Sequence, residues 1–388
     1  MIHLHRMLRV GCLVTLLTPV LVLATSTACT VASSTVSPGT PDGGATDAPP
    51  GDGAANGPLA LTPSNVDLSG IDLTKVGDFV VDGECSINTD FNLASCGDGA
   101  SVLGFKLATQ SDGSKVGMYV AKSMTILAGK SLTVAGPYPL VFIALDTITI
   151  AGSLNGNSHE EVGIAGGQSR GGMMPQRAKG AGPGGGGAGT DTTASGGGSY
   201  CGLGGAGGAE SSPASGGTAY GNPEIALLPG SAGGDSGGAG GGAIQLVAGT
   251  SITIAATGLI HVGAGGGGFG GIRAQNATGG GSGGAILLES LAVTVAGTLA
   301  DNGGGGGAGT SNGVGAAPPQ DPGGANSTGN ATPAAGGKKG VGPSSGGDGS
   351  AGASVNGTAG SFTAADNNAA AAVARAGSAS TPSLPKRR

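Results

Sequence analysis

Apolar residues alternate with Ser, Thr and other polar residues at every second position through the middle of the chain, which is the period of a β-strand. The first segment of this kind is residues 78–82, followed by residues 101–107 and 117–127. From there onward the alternation is regular and rich in β-branched residues. The pattern therefore predicts an all-β protein.

An internal repeat organises these strands. Each copy has an apolar strand, a small-residue turn, a second strand of Thr-Ile or Thr-Val alternation, and a short third strand. Such units cannot bury their apolar faces alone and should stack, which predicts a right-handed parallel β-helix. Ile and Val of the second strands should face the core and Thr should face outward. The copies are residues 118–134, 140–154, 243–260 and 285–299; the predicted core positions are Ile252, Ile254, Val293 and Val295, and the predicted outward positions are Thr147, Thr149, Thr253 and Thr294.

Glycine dominates the segments between the copies, at residues 155–242 and 263–284, and 87 of the 388 residues are Gly. An interior Gly costs a helix roughly 0.5–1 kcal/mol relative to Ala, which excludes an all-helical fold. Runs such as Gly184–Gly187 ignore the every-third-residue spacing of collagen. Two alternatives stay open: the insertions pack side by side in a polyproline II-like conformation with hydrogen bonds between backbones, or they are loose loops.

The first 28 residues have the features of a signal peptide. Arg6 and Arg9 precede an apolar stretch, residues 10–24, that is shorter than the ~20 residues of a membrane-spanning helix. Export is therefore expected. Residues 29–62 are nearly all small or polar and predict a disordered linker, residues 63–308 form the predicted β-helical domain, and residues 309–388 predict a mostly disordered tail.

The segment Ser26-Thr27-Ala28-Cys29 resembles the lipobox of bacterial lipoproteins, although Ser26 stands where that family usually has Leu. The resemblance implies acylation of Cys29 and a lipid anchor in the outer membrane. Small residues before Ala28 also fit ordinary cleavage, which would release a secreted protein.

Export permits disulfides. Cys85 and Cys96 enclose a short loop, and a bridge between them would contribute ~3 kcal/mol in the chain-entropy model. We predict this pairing, which leaves Cys201 as an odd thiol.

The repeat motif, Gly-Gly-Ala-Ile-x-Leu followed by Thr-[Ile/Val]-x-[Ile/Val], resembles Gly-rich exported β-helical proteins of soil bacteria such as myxobacteria. The poly-Gly region is similar to that of mycobacterial PE-PGRS proteins, without their N-terminal PE domain. The resemblance spans roughly residues 78–307. It implies exposure at the cell surface and names no catalytic residues.

Several motifs invite a catalytic or metal-binding interpretation. Residues 234–238 spell the Gly-Asp-Ser-Gly-Gly signature of trypsin-like proteases, but that chemistry needs a His in a defined context, and His159 and His261 lack it. Residues 186–191 match the first six positions of a single calcium nonapeptide, but such a site requires tandem copies, and Thr193 stands where a large apolar residue belongs. Glu160 and Glu161 would point to opposite faces of a strand rather than converge on a substrate.

The net charge of −6 and the scarcity of basic clusters argue against nucleic acid as a partner. We expect a non-enzymatic surface or extracellular structural or adhesion protein, without cofactor or metal, that contacts the outer membrane and surface glycans or matrix. The alternatives are a polysaccharide-active β-helix enzyme and an ice- or glycan-binding protein, the latter suggested by the outward Thr rows.

Overall fold

The computed structural model describes part of the chain, and that part is all-β with no helix, as predicted. Its strands form mixed sheets that curl into a half-barrel around an apolar core. The residues described are 59, 61–96, 103–159, 162–169, 177–190, 193–205, 214–223, 225–267 and 278–307.

The described residues form fourteen strands, of which the last ten follow the predicted repeat. The strands before the first copy are β1 (Asp78–Val81), β2 (Glu84–Asn88), β3 (Leu93–Ser95) and β4 (Gly104–Thr109). The first copy is β5 (Lys115–Ala121), β6 (Ser123–Ile126) and β7 (Ser131–Ala135), and the second is β8 (Leu140–Ala144), β9 (Thr147–Ile150) and β10 (Ser153–Asn155). In the last two copies the first and second strands merge, giving β11 (Ala243–Ile254) with β12 (Leu259–His261), and β13 (Ala285–Val295) with β14 (Thr298–Ala300).

Equivalent strands of successive copies pair in parallel. One sheet has the order β1-β6-β9-β11-β8-β5-β4, with β13 also paired to β11, and the other has the order β14-β12-β10-β7-β2-β3. Two strand pairs are antiparallel, namely β2 with β3 and β4 with β5. The pairing aligns like residues, so Ile148 lies beside Ile252 and Ile252 beside Val293.

The inward side chains form a continuous core along the paired strands. Ile252 and Ile254 are fully buried, and Val293 packs partly against the same cluster, as predicted. Phe79 and Phe142 stack in this cluster with ring centroids 5.8 Å apart. The prediction for Val295 is wrong, because this side chain is 39% exposed. Val295 is the last residue of β13, which pairs with β11 alone among the described strands.

A second apolar cluster covers the opposite side of the first strands of each copy. It includes Met118, Val141, Val247 and Leu287. Segments distant in sequence pack onto it: Leu59, Leu61, Leu68, Ile71, Leu73 and Val76 from the N-terminal side, and Tyr200, Tyr220, Leu227 and Leu228 from the first insertion. The first strands are therefore buried on both faces, which explains why they are apolar nearly throughout.

A buried carboxylate fastens the N-terminal segment to this surface. Glu289 is 4% exposed and accepts hydrogen bonds from the Ser64 amide (3.1 Å), the Ser64 hydroxyl and the Gln245 side-chain amide. The neighbouring Asn65 amide group donates to the Pro223 carbonyl (2.7 Å) and to Gln245 Oε1 (3.2 Å). These bonds satisfy polar groups that would be costly to bury alone.

The glycine-rich insertions pack against one another through backbone hydrogen bonds. Gly238 donates to the Gly279 carbonyl (2.8 Å), Gly281 to Gly265 (3.1 Å) and Gly304 to Gly281 (3.0 Å). These bonds join the two insertions to the segment that follows the last copy. Of the two alternatives that the sequence leaves open, lateral packing is the one found in the described residues.

The structure tests the predictions for Cys85, Cys96 and Cys201. Cys85 and Cys96 are bonded, as predicted. The expectation of an odd thiol at Cys201 is wrong, because Cys201 is also disulfide-bonded. Its side chain is 7% exposed within the second apolar cluster.

Candidate ligand-binding face

A regular array of hydroxyl groups lines the outer side of the second strands. In each copy two outward side chains flank one inward apolar side chain. The outward residues are Ser or Thr followed by Thr, except that Ala takes the first place in the last copy. The hydroxyl face, as we call it, consists of Ser123 and Thr125, Thr147 and Thr149, Ser251 and Thr253, and Ala292 and Thr294. Seven of its eight positions therefore carry a hydroxyl.

The strand register places these residues in two straight columns. Thr149 lies beside Thr125 on one side and Thr253 on the other, and Thr253 lies beside Thr294. In the second column Thr147 lies beside Ser251, which lies beside Ala292. Neighbours within a column are about 4.8 Å apart and the columns about 6.6 Å apart, since these are the spacings between strands and between every second residue.

The hydroxyl face is accessible and uncharged. Its side chains are half-buried, except that Ala292 and Thr294 are exposed. Charged residues lie only at its margins. Asp78 of β1 accepts a hydrogen bond from the Ser123 hydroxyl (2.7 Å) and forms an ion pair with Lys122 (3.7 Å). The exposed Asp146 directly precedes Thr147.

The sequence identifies only part of this face. Thr147, Thr149, Thr253 and Thr294 point outward as predicted, because they alternate with the buried Ile148, Ile150, Ile252 and Ile254 and the partly buried Val293. The prediction does not include Ser123, Thr125 and Ser251, although the same alternation in residues 123–125 and 251–253 indicates them.

The protease-like motif has a structural role. Asp235 and Ser236 adopt left-handed backbone angles, with φ of 53° and 61°. The Asp235 carboxylate accepts hydrogen bonds from the amides of Ala178 (3.1 Å) and Gly189 (2.7 Å), which joins segments of the first insertion. Burial raises the pKa of Asp235, and these two hydrogen bonds oppose the rise.

The fold brings His159 and His261 near each other at the end of the third strands. His261 is 7% exposed and lies beside Asn155 in the parallel pairing of β10 and β12. Asn157 contacts His159 through its side-chain amide at 3.3 Å. Burial, and secondly the charge of His159, lowers the pKa of His261 to about 4 from 6.5.

We expect this His to make the protein acid-sensitive. Because the pKa is lower in the folded than in the unfolded state, the unfolded chain binds the proton more tightly, so stability falls as the pH drops from about 6.5 to about 4. The loss attributable to His261 is roughly 3 kcal/mol, at 1.36 kcal/mol per pKa unit. Urea unfolding at pH 7.5 and pH 4.5 should show a smaller difference in His261→Gln than in the wild type. Equal differences would contradict the assignment.

The remaining candidate residues do not form a site in the described structure. Cys29, Glu160, Glu161 and Asp191 lie outside the described residues. Thr193 of the calcium-like segment is 3% exposed and accepts a hydrogen bond from the Thr190 amide through its carbonyl (3.0 Å). Within the described ranges, no three His, Cys, Asp or Glu side chains are grouped so that they could hold a metal ion. None of these residues forms a helix long and apolar enough to cross a membrane.

Comparison with known proteins finds no match to a family model, to a curated protein or to a solved structure.

Proposed function

We propose that this chain is a non-enzymatic structural or adhesion protein of the cell surface or extracellular space. The observation that carries the proposal is the hydroxyl face, a regular and solvent-accessible array on the second strands, whereas the outer side of the first strands is covered by other segments of the chain. A regular array suits an extended, repeating surface better than a small molecule, which proteins usually bind in a concave pocket.

The proposed architecture is a right-handed parallel β-helix whose poly-Gly insertions adopt a polyproline II-like conformation. The parallel, in-register pairing of four successive copies supports the helical stack. The lateral glycine hydrogen bonds support the polyproline II-like arrangement, which has no hydrogen bonds within a segment.

The proposal places the protein at the outer membrane through acylated Cys29, with residues 30–62 as a spacer between the lipid and the folded domain. Its expected contacts are then the membrane on one side and surface glycans or matrix on the other. Many copies displayed on one cell would add weak individual contacts into firm attachment, because linked contacts bind at a high effective concentration.

The proposal is tested by adhesion of cells that display the chain. Thr149→Lys with Thr253→Lys places two charged side chains in the centre of the hydroxyl face, and attachment to solid surfaces should fall to the level of cells without the protein. Thr298→Lys is the matched control, because Thr298 is exposed on β14 in the other sheet. Attachment that is equal in all three strains would overturn the proposal.

A further inference from the structure

We propose that the solid bound by the hydroxyl face is ice. This inference rests on the proposed function, since it names the ligand of the same face. The ligand is then the ordered water of a crystal surface, held through the hydroxyl groups of Thr125, Thr149, Thr253 and their neighbours.

The first reason is that the hydroxyl groups repeat in two directions. The columns run across four paired strands with a step of about 4.8 Å, and the two columns are separated by about 6.6 Å. A crystal surface also repeats in two directions, whereas a single polymer chain repeats in one. Oxygen atoms on the faces of ordinary ice also repeat in two directions over distances of several ångströms, so waters bound to the hydroxyl groups can be shared with such a surface.

The second reason is the chemistry of the side chains. The eight positions of the face carry no charge for an anionic or cationic ligand; the nearest charged residues are Asp78, which lies beside Ser123 at the end of one column and pairs with Lys122, and Asp146, which precedes Thr147. The face offers no aromatic ring for stacking against a sugar: Tyr119, Phe79 and Phe142 are fully buried elsewhere. Threonine presents a hydroxyl that binds water and a methyl that restricts the orientation of the water beside it. Uncharged ordered water is the ligand that matches this combination.

The third reason is that the scaffold holds the array rigidly. Directly beneath the hydroxyl groups, Met124, Ile148, Ile252 and Val293 form a ladder of packed side chains in register. Such a ladder holds the strands in register, so that the hydroxyl groups above it keep fixed positions relative to one another. Rigidity matters because each contact with water is weak, and many weak contacts add up only when no ordering has to occur on binding.

The test is partition of the purified full chain into ice. Polycrystalline ice is grown slowly from a dilute solution of the protein, and the protein concentration in the ice is compared with that in the remaining liquid. The wild type should be enriched in the ice. Thr149→Lys with Thr253→Lys should reduce the enrichment about tenfold or more, since it removes two hydrogen-bonding contacts and adds charge. Thr298→Lys should partition like the wild type.

Thermal unfolding of each variant shows whether it is folded. If the double variant does not fold, the single variant Thr294→Lys replaces it, because Thr294 is exposed on the last strand and tolerates a long side chain; its enrichment should fall severalfold. Exclusion of the wild type from ice, or equal enrichment of the wild type and the face variants, would overturn the inference.

The two proposals fail in distinguishable ways. A wild type that is excluded from ice, while adhesion of cells to insoluble neutral polysaccharide still depends on Thr149 and Thr253, overturns ice as the ligand and leaves the adhesive function. If the wild type is excluded from ice and adhesion is also unchanged by the substitutions at Thr149 and Thr253, both the ice ligand and the adhesive function are overturned.

Discussion

Replacing Gly281 with Val should destabilise the protein by about 3 kcal/mol or more, at the upper end of what overpacking costs. A Cβ atom on Gly281 would overlap the carbonyl group of Ala239, and the backbone around it is held on two sides by hydrogen bonds to Gly265 and from Gly304. The packed segments cannot separate without breaking these bonds. Urea unfolding measures the loss, and hydrogen exchange should show the Gly281 and Gly304 amides protected together with the strands.

Gly83 provides the matched control. It lies in the turn between β1 and β2, a Cβ there would meet nothing within 4 Å, and its φ is not positive. Gly83→Val should therefore change the free energy of unfolding by no more than about 0.5 kcal/mol. A neutral Gly281→Val, or rapid exchange of the Gly281 and Gly304 amides, would mean that the insertions are loose in solution.

Replacing Ile254 with Asp should cost about 4 kcal/mol, because it places an uncompensated charge in the core. Ile254 is fully buried and lies in register with Ile150 and Val295 of the neighbouring strands. Urea unfolding at pH 7 measures the loss, which should appear as a lower midpoint.

The adjacent residue separates the effect of burial from that of the substitution itself. Thr253 points to the hydroxyl face and is half-buried, so Thr253→Asp should cost less than about 1 kcal/mol, the penalty for a poor strand former. Similar losses at both positions would show that the strand register is shifted by one residue, since such a shift exchanges the two faces.

Local sequence patterns were enough to predict the strands and the direction of most of their side chains. Successive side chains of a strand point to opposite faces, so the alternation of Ile with Thr in residues 147–150 and 251–254 specified core and surface without further information. It failed at Val295, because burial there depends on a neighbouring strand and not on the direction of the side chain. The short loop between Cys85 and Cys96 made their pairing predictable in the same local way.

The contacts between distant parts of the chain could not be predicted and are known from the folded structure alone. Glycine has no side chain to encode a partner, so the packing of Gly238, Gly265 and Gly281 against one another could not be read from their own residues. The attachment of the N-terminal segment through Ser64 and Glu289 was invisible for a similar reason, since nothing local pairs residues so far apart. The hydroxyl face as a whole was also not predictable from local sequence. Each Thr was predicted to point outward, but the straight column through Thr149 and Thr253 exists only because pairing between strands aligns copies that are separated by the whole first insertion.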